Sequence, residues 1–390
     1  MSSSSSPTKI IVLGSTGFIG GDILYALLVD KSPNWQIAAL TGSPSKASQI
    51  SQWAQKQFPD APHKLIVEIA ERSGDTSQYY KQVEKIAEQY DVVIQAATSD
   101  DLNLTKAINR GLESGKKNGH KGQLIHFSGV QLIESEPVGK FVETPYYDDS
   151  DLKQIESIPD SAAHRSIDQE VDRARLQGQI AGSIICPALV WGQGRGPVSK
   201  VSQQVPEMVR KAIVNGQPVF VGDGTNVWTA VNVNEMIEFV MALLKYQLSD
   251  SYAPKNEQWD TFYFAVHDEL ITFKDLAAAV GKGLAELDGG KLLKVSSEPK
   301  SVPVPSWDKS QKGVRVEDDA RQNGEQAEIE KRTPFWPNRT NNRAKHTKAL
   351  PTDKGKKWFP TKYTEKHMIE DTKWIVDHWK SNGTLPKYEP

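Results

Sequence analysis

The chain has 390 residues, of which 38% are hydrophobic and 25% are charged, and its formal net charge is −2. This composition is typical of a folded, water-soluble protein long enough for two domains. The balanced charge provides no basic surface for nucleic acid or an anionic membrane, and no apolar stretch approaches the roughly 20 residues that span a bilayer. We therefore expect neither nucleic acid nor a membrane among its partners.

The sequence also gives expectations about compartment and metals. The single cysteine, Cys186, cannot form an intrachain disulfide, which agrees with a reducing compartment. The opening MSSSSSPTK lacks the apolar core of a signal peptide, so we predict a disordered lead at residues 1–8 and a cytoplasmic protein. The eight histidines are scattered and lack the spacing of metal ligands, so we expect no metal.

Strands and helices alternate along the first half of the chain. Apolar, β-branched runs indicate the strands, and amphipathic stretches between them indicate helices. This alternation predicts βαβ units, and right-handed crossovers then give an α/β protein with a doubly wound parallel sheet. Its ligand crevice would lie at the carboxyl ends of the strands. The predicted strands are 10–13, 35–40, 63–70, 91–98, 123–130 and 181–190.

The pattern becomes less regular after residue 200. Two strands are predicted to form a hairpin that turns at Gly222 and Gly224, and the helix that follows has Asn232 or Asn234 as its N-cap. The remaining predicted elements are a strand at 259–266, a helix at 272–287 and a closing helix at 365–380.

The first strand leads into three glycines spaced three residues apart, Gly14, Gly17 and Gly20, in the sequence IIVLGSTGFIG. This spacing is typical of a strand–turn–helix unit in which a dinucleotide pyrophosphate contacts backbone N–H groups. The first glycine would form the turn, the second would let the backbone approach the phosphates, and the third would let helix and strand pack closely. The other residues predicted to line this turn are Ser15, Thr16, Phe18 and Ile19.

Five segments, in this order, resemble the extended or atypical short-chain dehydrogenase/reductase superfamily, which includes nucleotide-sugar epimerases and dehydratases. They are GSTGFIG (14–20), QAAT (95–98), FSGV (127–130), CPALVWGQGRGP (186–197) and VGDGTNVWTAVNVNEM (221–236). The resemblance implies a Rossmann-type doubly wound parallel sheet with a smaller C-terminal substrate lobe and an NAD(P) cofactor. It places Ala96, Ala97, Thr98, Pro187, Ala188 and Val190 along that cofactor.

On this basis, residues 9–200 are predicted to form mainly the NAD(P)-binding domain, and residues 201–390 mainly the substrate lobe. The lobe would contain a charged insertion at about 291–350, which is rich in Lys, Glu, Pro and Asn, so long loops or partial disorder are expected there. Relatives often dimerise through two helices, here 103–116 and 161–178, and a homodimer is therefore one expected assembly.

The residues after the second strand bear on the choice between NAD and NADP. In the family, an acidic residue there accepts from the ribose 2′-OH of NAD, whereas basic and hydroxyl residues favour the 2′-phosphate of NADP. This chain has Thr41, Ser43 and Lys46 and no carboxylate between Leu40 and Gln55, which favours NADP over NAD. The alternative is that Lys46 is a solvated lysine at the start of a helix.

The catalytic signature of the family is present only in part. It combines a Ser or Thr at the end of the fifth strand with Tyr-x-x-x-Lys on the next helix, and Ser128 matches the first position. In place of Tyr and Lys the chain has His164 and Asp168, one helical turn apart, so both could face the crevice. A carboxylate beside an imidazole favours its protonated form, which suits a proton donor. Alternatively, His164 only begins the helix and Asp168 pairs with Arg165 on the surface.

Other side chains could complete the site. Tyr146 and Tyr147 precede the helix and could present a phenol, or they could lie in a solvated turn. The resemblance places Asn226 and Trp228 near the substrate. Arg195 could bind an anion bidentately or be a solvated loop residue.

Two functions are compatible with these patterns. The first is an NAD(P)-dependent oxidoreductase or epimerase-like enzyme that transfers a hydride on a small polar or carbonyl-containing metabolite. The second, favoured by the missing Tyr and Lys, is a non-catalytic NAD(P)-binding redox sensor that resembles NmrA-like regulators. Catalysis requires His164, Tyr146 or Tyr147 within a few ångströms of the nicotinamide and Ser128.

Overall fold

The computed structural model describes residues 6–32, 34–60, 63, 65–72, 76–287, 293, 295–303, 340–353 and 355–387. Within these ranges the strands are β1 (Thr8–Leu13), β2 (Trp35–Thr41), β3 (Leu65–Ile69), β4 (Val92–Gln95), β5 (Gln123–Phe127), β6 (Tyr147–Asp148), β7 (Ala181–Pro187), β8 (Leu189–Trp191), β9 (Val219–Val221), β10 (Val227–Asn232), β11 (Phe262–Ala265), β12 (Leu270–Thr272), β13 (Lys300–Val302) and β14 (Ala344–Lys345).

The helices in the same ranges are α1 (Phe18–Val29), α2 (Pro44–Gln57), α3 (Thr76–Ala87), α4 (Leu102–Lys117), α5 (Leu152–Glu156), α6 (Arg165–Leu176), α7 (Gln204–Asn215), α8 (Val233–Leu248), α9 (Phe273–Glu286) and α10 (Glu365–Asn382). None of these described helices is both long enough and apolar enough to cross a bilayer. The lead predicted at 1–8 falls largely outside the described residues, and β1 already begins at Thr8.

Seven strands form the central sheet, in the spatial order β11–β7–β5–β4–β1–β2–β3, and every pairing is parallel. The chain moves from β1 outward to β3 and then crosses back to β4 on the other side of β1. The strand order therefore reverses between β1 and β4, which is where sheets of this kind bind their ligands. The predicted Rossmann-type α/β fold is confirmed.

The central strands are continuous apolar runs because helices cover both faces of the sheet. All four residues of β4 are buried, as are the last four of β1. Helix α1 packs against α8, whereas α4 packs against both α3 and α6. The edge strand β11 comes from beyond residue 200, so both halves of the chain contribute to this sheet.

The predicted hairpin at Gly222 and Gly224 is wrong. Both glycines have positive φ, as a turn requires, but β9 pairs in parallel with β13, whereas β10 lies between β8 and β12. The local turn was thus identified correctly, and the pairing was not. Strand pairing depends on partners that lie far away in the sequence.

A segment near the C-terminus, residues 340–350, is packed against β10 and β6, and we call it the C-terminal strap. Asn341 and Asn342 are fully buried. The Oδ1 atom of Asn341 accepts from Val227 N (2.9 Å), and that of Asn342 accepts from Thr229 N (3.1 Å). Apart from Ala344 and Lys345 in β14, the strap has no helix or strand, as the long loops predicted at 291–350 imply, but it is packed. Residues 304–339 of that prediction lie outside the described residues.

Candidate active site and cofactor cleft

The glycine turn after β1 is closely packed at Gly14 and Gly20 and open at Gly17. A Cβ at Gly14, whose φ is +78°, would overlap the backbone of Ala96 and Ala97, and a Cβ at Gly20 would overlap the carbonyl of Gly14. A Cβ at Gly17 would meet only Gly14 O, at 3.1 Å, within 4 Å. Gly17 therefore leaves room above the backbone, as a pyrophosphate site requires, and these residues fit a dinucleotide.

Side-chain hydrogen bonds join the glycine turn to β2 and fix the neighbouring loop after β4. Ser15 is buried, and its Oγ donates to Leu40 O (3.1 Å). The side chain of Gln95 shapes the end of β4, since its Nε2 donates to Thr98 O (2.6 Å) and its Oε1 accepts from Ala97 N (3.0 Å). The partly buried residues around the same turn are Thr16, Phe18, Ile19 and Ala96.

Hydroxyl groups and one lysine follow β2, where the adenine ribose binds in such folds. Thr41 is buried, and its Oγ1 has no hydrogen-bond partner among the described residues. The Oγ of Ser43 accepts from Lys46 N (3.4 Å) and caps α2. The side chain of Lys46 is exposed. The first turn of α2 contains no acidic residue that would repel a phosphate.

Arg72 is a further cation at this edge that the sequence analysis did not identify. A Cβ at Gly42 would lie 3.9 Å from Arg72 Cγ. The guanidinium stacks over the ring of Tyr79, 4.9 Å from its centroid, and Nη2 donates to the Tyr79 hydroxyl (3.3 Å). Arg72 follows β3, which pairs with β2, so only knowledge of the strand order reveals that it lies next to Gly42.

The residues predicted beside the nicotinamide lie where β7 passes into β8. Pro187 ends β7, Ala188 is buried and donates its N–H to Ala265 O (3.2 Å), and Val190 is half-buried in β8. Ser128 N donates to Ile185 O (2.8 Å) on the same strand. These residues therefore share the carboxyl edge of the sheet with Ser128.

Ser128 and Asp168 form a buried hydrogen bond. Ser128 follows β5, Asp168 lies in the first turn of α6, and Ser128 Oγ donates to Asp168 Oδ2 (2.7 Å). Asp168 is 0% exposed. Burial raises the pKa of Asp168 to about 7, against the lowering effects of the Ser128 hydrogen bond and of the positive charges on His164 and Arg165. A carboxyl of this kind can hold or release a proton near neutral pH.

His164 is paired with Asp100 and not directly with Asp168. Its Nδ1 lies 2.7 Å from Asp100 Oδ1, and a Cβ at Gly129 would be 3.3 Å from its Nε2. Burial of the ring opposes protonation, but the hydrogen bond and charge of Asp100, with the charges of Asp168 and Glu134, raise the pKa of His164 above its ordinary value. The imidazole therefore holds its proton at higher pH than a free histidine.

The backbone explains why helical spacing did not identify this partner. His164 is the N-cap of α6 and has a φ of +65°, in the left-handed region. Its side chain therefore does not follow the direction of the helix that begins at Arg165, whose guanidinium stacks over Trp259, 4.0 Å from the ring. The surface pair of Asp168 with Arg165 is likewise not formed. Asp100 lies in the loop between β4 and α4, and this position at the carboxyl edge of the sheet was the available signal.

The two tyrosines make other contacts. The Tyr146 hydroxyl donates to Asp268 O (2.6 Å), and the Arg343 guanidinium lies 5.1 Å from the centroid of its ring. Tyr147 is half-buried in β6, where it pairs with Ala344 of the C-terminal strap. Burial raises the pKa of both hydroxyls, whereas an acid–base tyrosine needs a lowered pKa.

Arg195 is bound to the first helix. Its Nε donates to Asp22 Oδ1 (2.7 Å), its backbone N–H donates to the same oxygen (3.1 Å), and its guanidinium lies over Tyr25. Asp22 is 0% exposed. Arg195 thus fastens the glycine-rich loop 192–197 to α1, next to the glycine turn, and its predicted contact with an anion stays a prediction.

Asn226 and Trp228 are both buried and both bind the C-terminal strap. Asn226 Nδ2 donates to Thr340 O (3.0 Å), and Trp228 Nε1 donates to the same carbonyl (3.1 Å). The sequence interpretation placed them near the substrate, and the structure shows them joining β10 to the strap. That pairing had no local signal, since its partner is remote in the sequence.

Comparisons with known proteins agree with the Rossmann-type fold of this chain. The sequence model of the NAD dependent epimerase/dehydratase family matches residues 10–252. The oxidase ucsJ of Acremonium sp. is 26% identical over 285 residues, which cover 70% of this chain and 77% of that protein.

Two solved structures share the fold at low sequence identity. A dTDP-glucose 4,6-dehydratase from Bacillus anthracis str. Ames, in complex with NAD, has a TM-score of 0.56 at 15% identity, over 97% of this chain and 98% of its own. The terminal R domain from the myxalamid PKS-NRPS biosynthetic pathway has a TM-score of 0.58 at 12% identity, over 99% of this chain and 94% of its own.

Proposed function

Because this chain belongs to the NAD-dependent epimerase/dehydratase family, we propose that it is an oxidoreductase whose proton donor is His164 instead of a tyrosine. Its substrate is a small polar metabolite with a carbonyl group or the corresponding hydroxyl. The observation that carries this proposal is the 2.7 Å pair of His164 with Asp100, since it gives a chargeable imidazole at the carboxyl edge of the sheet. The relative named as an oxidase favours net redox chemistry over epimerisation.

The cofactor would lie along residues that the fold already brings to one edge. Backbone N–H groups of the turn at Gly14, Gly17 and Gly20 would bind the pyrophosphate, and residues 187–190 would lie beside the nicotinamide. When bound, NAD(P) supplies or accepts a hydride at the nicotinamide C4.

The proton in carbonyl reduction comes from His164. Asp100 fixes the orientation of the ring through Nδ1 and favours the imidazolium form, so that Nε2 carries a proton for the substrate oxygen. In the reverse direction the neutral imidazole accepts that proton. Ser128 Oγ donates a hydrogen bond to Asp168. Its lone pairs therefore remain free to accept a hydrogen bond from the substrate hydroxyl and to orient that group.

We further propose a preference for NADP over NAD. Ser43 and Lys46 present a hydroxyl and an ammonium group after β2, Thr41 contributes a second hydroxyl, and Arg72 adds a cation from the segment after β3. Basic side chains bind a 2′-phosphate through charge-assisted hydrogen bonds, and a carboxylate, which would select the 2′-OH of NAD, is lacking in the first turn of α2.

The test combines cofactor binding with turnover. NADPH and NADH are titrated by fluorescence, and the oxidation of NADPH is then followed with a panel of aldehydes, ketones and keto sugars. We expect NADPH to bind and at least one carbonyl compound to be reduced. His164→Ala should keep the binding and lose at least about a hundredfold in rate, the usual contribution of a general acid.

A matched control and an alternative outcome make the test decisive. His120 is paired with Asp91 at 3.2 Å, but at the amino ends of the strands, so His120→Ala should leave the rate unchanged. If NADPH binds with no turnover of any compound in the panel and His164→Ala changes nothing, the chain is a non-catalytic NAD(P) sensor.

A further inference from the structure

A fully buried histidine lies behind the hydrogen bond between Ser128 and Asp168. His126 stands two residues before Ser128, so the two side chains point to the same face of the sheet. Its ring is 0% exposed, and its Nε2 lies 3.7 Å from Asp168 Oδ1. Ser128, Asp168 and His126 therefore form a row that leads from the carboxyl edge into the core.

The facing atoms of Asp168 and His126 can satisfy each other by a hydrogen bond. Asp168 Oδ1 and His126 Nε2 are both buried, and neither has a hydrogen-bond partner among the described residues. Buried polar groups are normally satisfied, and these two atoms need to approach by less than about 1 Å to form a hydrogen bond. One proton between them would satisfy both.

We propose that His126 is a positioning residue, because a proton shared between its Nε2 and Asp168 Oδ1 leaves Asp168 Oδ2 as an acceptor. Ser128 then always donates inward and turns its lone pairs to the crevice. Without His126, a neutral Asp168 could place its proton on Oδ2 and donate to Ser128, whose own O–H would turn outward. The effect on turnover rests on the proposed function, but the shared proton is a property of the free protein.

The surrounding charges support this arrangement. Burial lowers the pKa of His126 to about 3, helped by the charge of His164, so the ring is neutral, whereas burial raises that of Asp168 to about 7. The groups that face the pair from other elements are His164, Arg165, Asp100 and Cys186.

Three of these neighbours also make contacts of their own, and the fourth is neutral. His164 is paired with Asp100, and Arg165 stacks on Trp259. Burial raises the pKa of Cys186 well above its ordinary value, so the thiol is uncharged. Burial therefore keeps the proton on Asp168 against the charges of His164 and Arg165, and His126 is the neutral polar group that faces its second oxygen.

The test uses two variants of His126 in the complete chain. His126→Phe keeps an apolar ring and removes the nitrogen, whereas His126→Gln keeps an amide that can donate to Asp168 Oδ1. The carboxyl carbon of Asp168 is titrated by ¹³C NMR in the cofactor-free protein, with Asp168→Asn to assign the signal. We expect the midpoint of the Asp168 titration to rise by about one pH unit or more in His126→Phe, because Phe cannot donate to the ionised carboxylate. In His126→Gln this midpoint should stay near that of wild type. An unchanged midpoint in His126→Phe would overturn the shared proton.

A measurement on the unchanged protein keeps the inference falsifiable if His126→Phe does not fold. The ¹⁵N resonances of His126 should shift together with the titration of Asp168, and constant ¹⁵N resonances would contradict the shared proton. Turnover separates the two claims. If the midpoint moves while the rates of both variants equal that of wild type, the positioning role is wrong. If neither the wild type nor the variants turn over a substrate, the proposed function fails, and the midpoint still shows whether the proton is shared.

Discussion

The imidazole of His164 lies 2.7 Å from the carboxylate of Asp100, so the N-cap of α6 is paired with a residue that follows β4. Ser128 follows β5, between these two chain segments, and donates to the buried Asp168. Each of the two carboxyl groups therefore contacts a different side chain of the candidate site. Asp100 favours a charged imidazole, and Asp168 orients a hydroxyl.

Asp100→Asn should shift the pH dependence of carbonyl reduction. The pair with Asp100 raises the pKa of His164 against the effect of burial, and the reduction needs the protonated ring, so the rate falls as pH rises through this pKa. The amide removes the charge, and the alkaline limb of the pH–rate profile should move to lower pH by about one unit. Asp101→Asn is a suitable neighbour control, because Asp101 caps α4 and contacts Tyr80. An alkaline limb that stays in place in Asp100→Asn would contradict the pairing.

His164→Gly and His164→Ala should differ in stability but not in activity. The φ of His164 is +65°, a conformation that costs a residue with a Cβ roughly 1 kcal/mol and costs glycine little. Both variants lose the imidazole and the pair with Asp100, so both should lose turnover and keep cofactor binding. Urea denaturation should give His164→Gly the larger free energy of unfolding, by about 1 kcal/mol. Equal free energies would show that the ring is not held by a strained backbone.

Asp168→Asn should flatten the dependence of stability on pH. The pKa of Asp168 is raised in the folded state from 3.8 to about 7, so its proton stabilises the fold fully below the unfolded value and this contribution is lost as pH rises toward the folded value. Across that window, wild type should lose up to about 1.4 kcal/mol per pH unit from this group. The Asn variant lacks the titration and should show a smaller slope in urea denaturation. Asp60→Asn, at an exposed position, should keep the wild-type slope.

Lys46→Ala should weaken NADP binding and leave NAD binding unchanged. Lys46 is exposed at the start of α2, where its ammonium group can reach a 2′-phosphate that NAD lacks. Loss of one charge-assisted contact should raise the Kd for NADPH by about tenfold or more in a fluorescence titration. Lys56→Ala removes another exposed lysine, from the last turn of the same helix, and should have no effect. An equal loss of affinity for NADPH and NADH would mean that Lys46 does not contact the 2′-phosphate.

Local patterns predicted the parts of the structure that depend on neighbouring residues. The apolar runs gave β1 and β4, and the glycine spacing gave the turn, because parallel strands and tight turns impose these patterns on short stretches of chain. The α/β class followed from their alternation. The predicted hairpin at Gly222 was wrong because β9 and β10 each pair with strands from other parts of the sequence.

The candidate site was predictable only in its residue types. Ser128, His164 and Asp168 were predicted as candidates, and helical spacing paired His164 with Asp168, whereas the structure pairs it with Asp100. The reason is the left-handed backbone at His164, which remains uncommon for any residue other than glycine even though histidine is among those enriched there. His126 was not identified because its role depends on which face of β5 packs against α6.

The most direct test of the central claim is a crystal structure of the protein with NADP bound. We predict that the pyrophosphate contacts the backbone at Gly17, and that His164 Nε2 and Ser128 Oγ both lie within a few ångströms of a substrate oxygen placed against the nicotinamide C4. A nicotinamide bound away from both groups, or His164 turned toward solvent, would contradict the assignment of His164 as the proton donor.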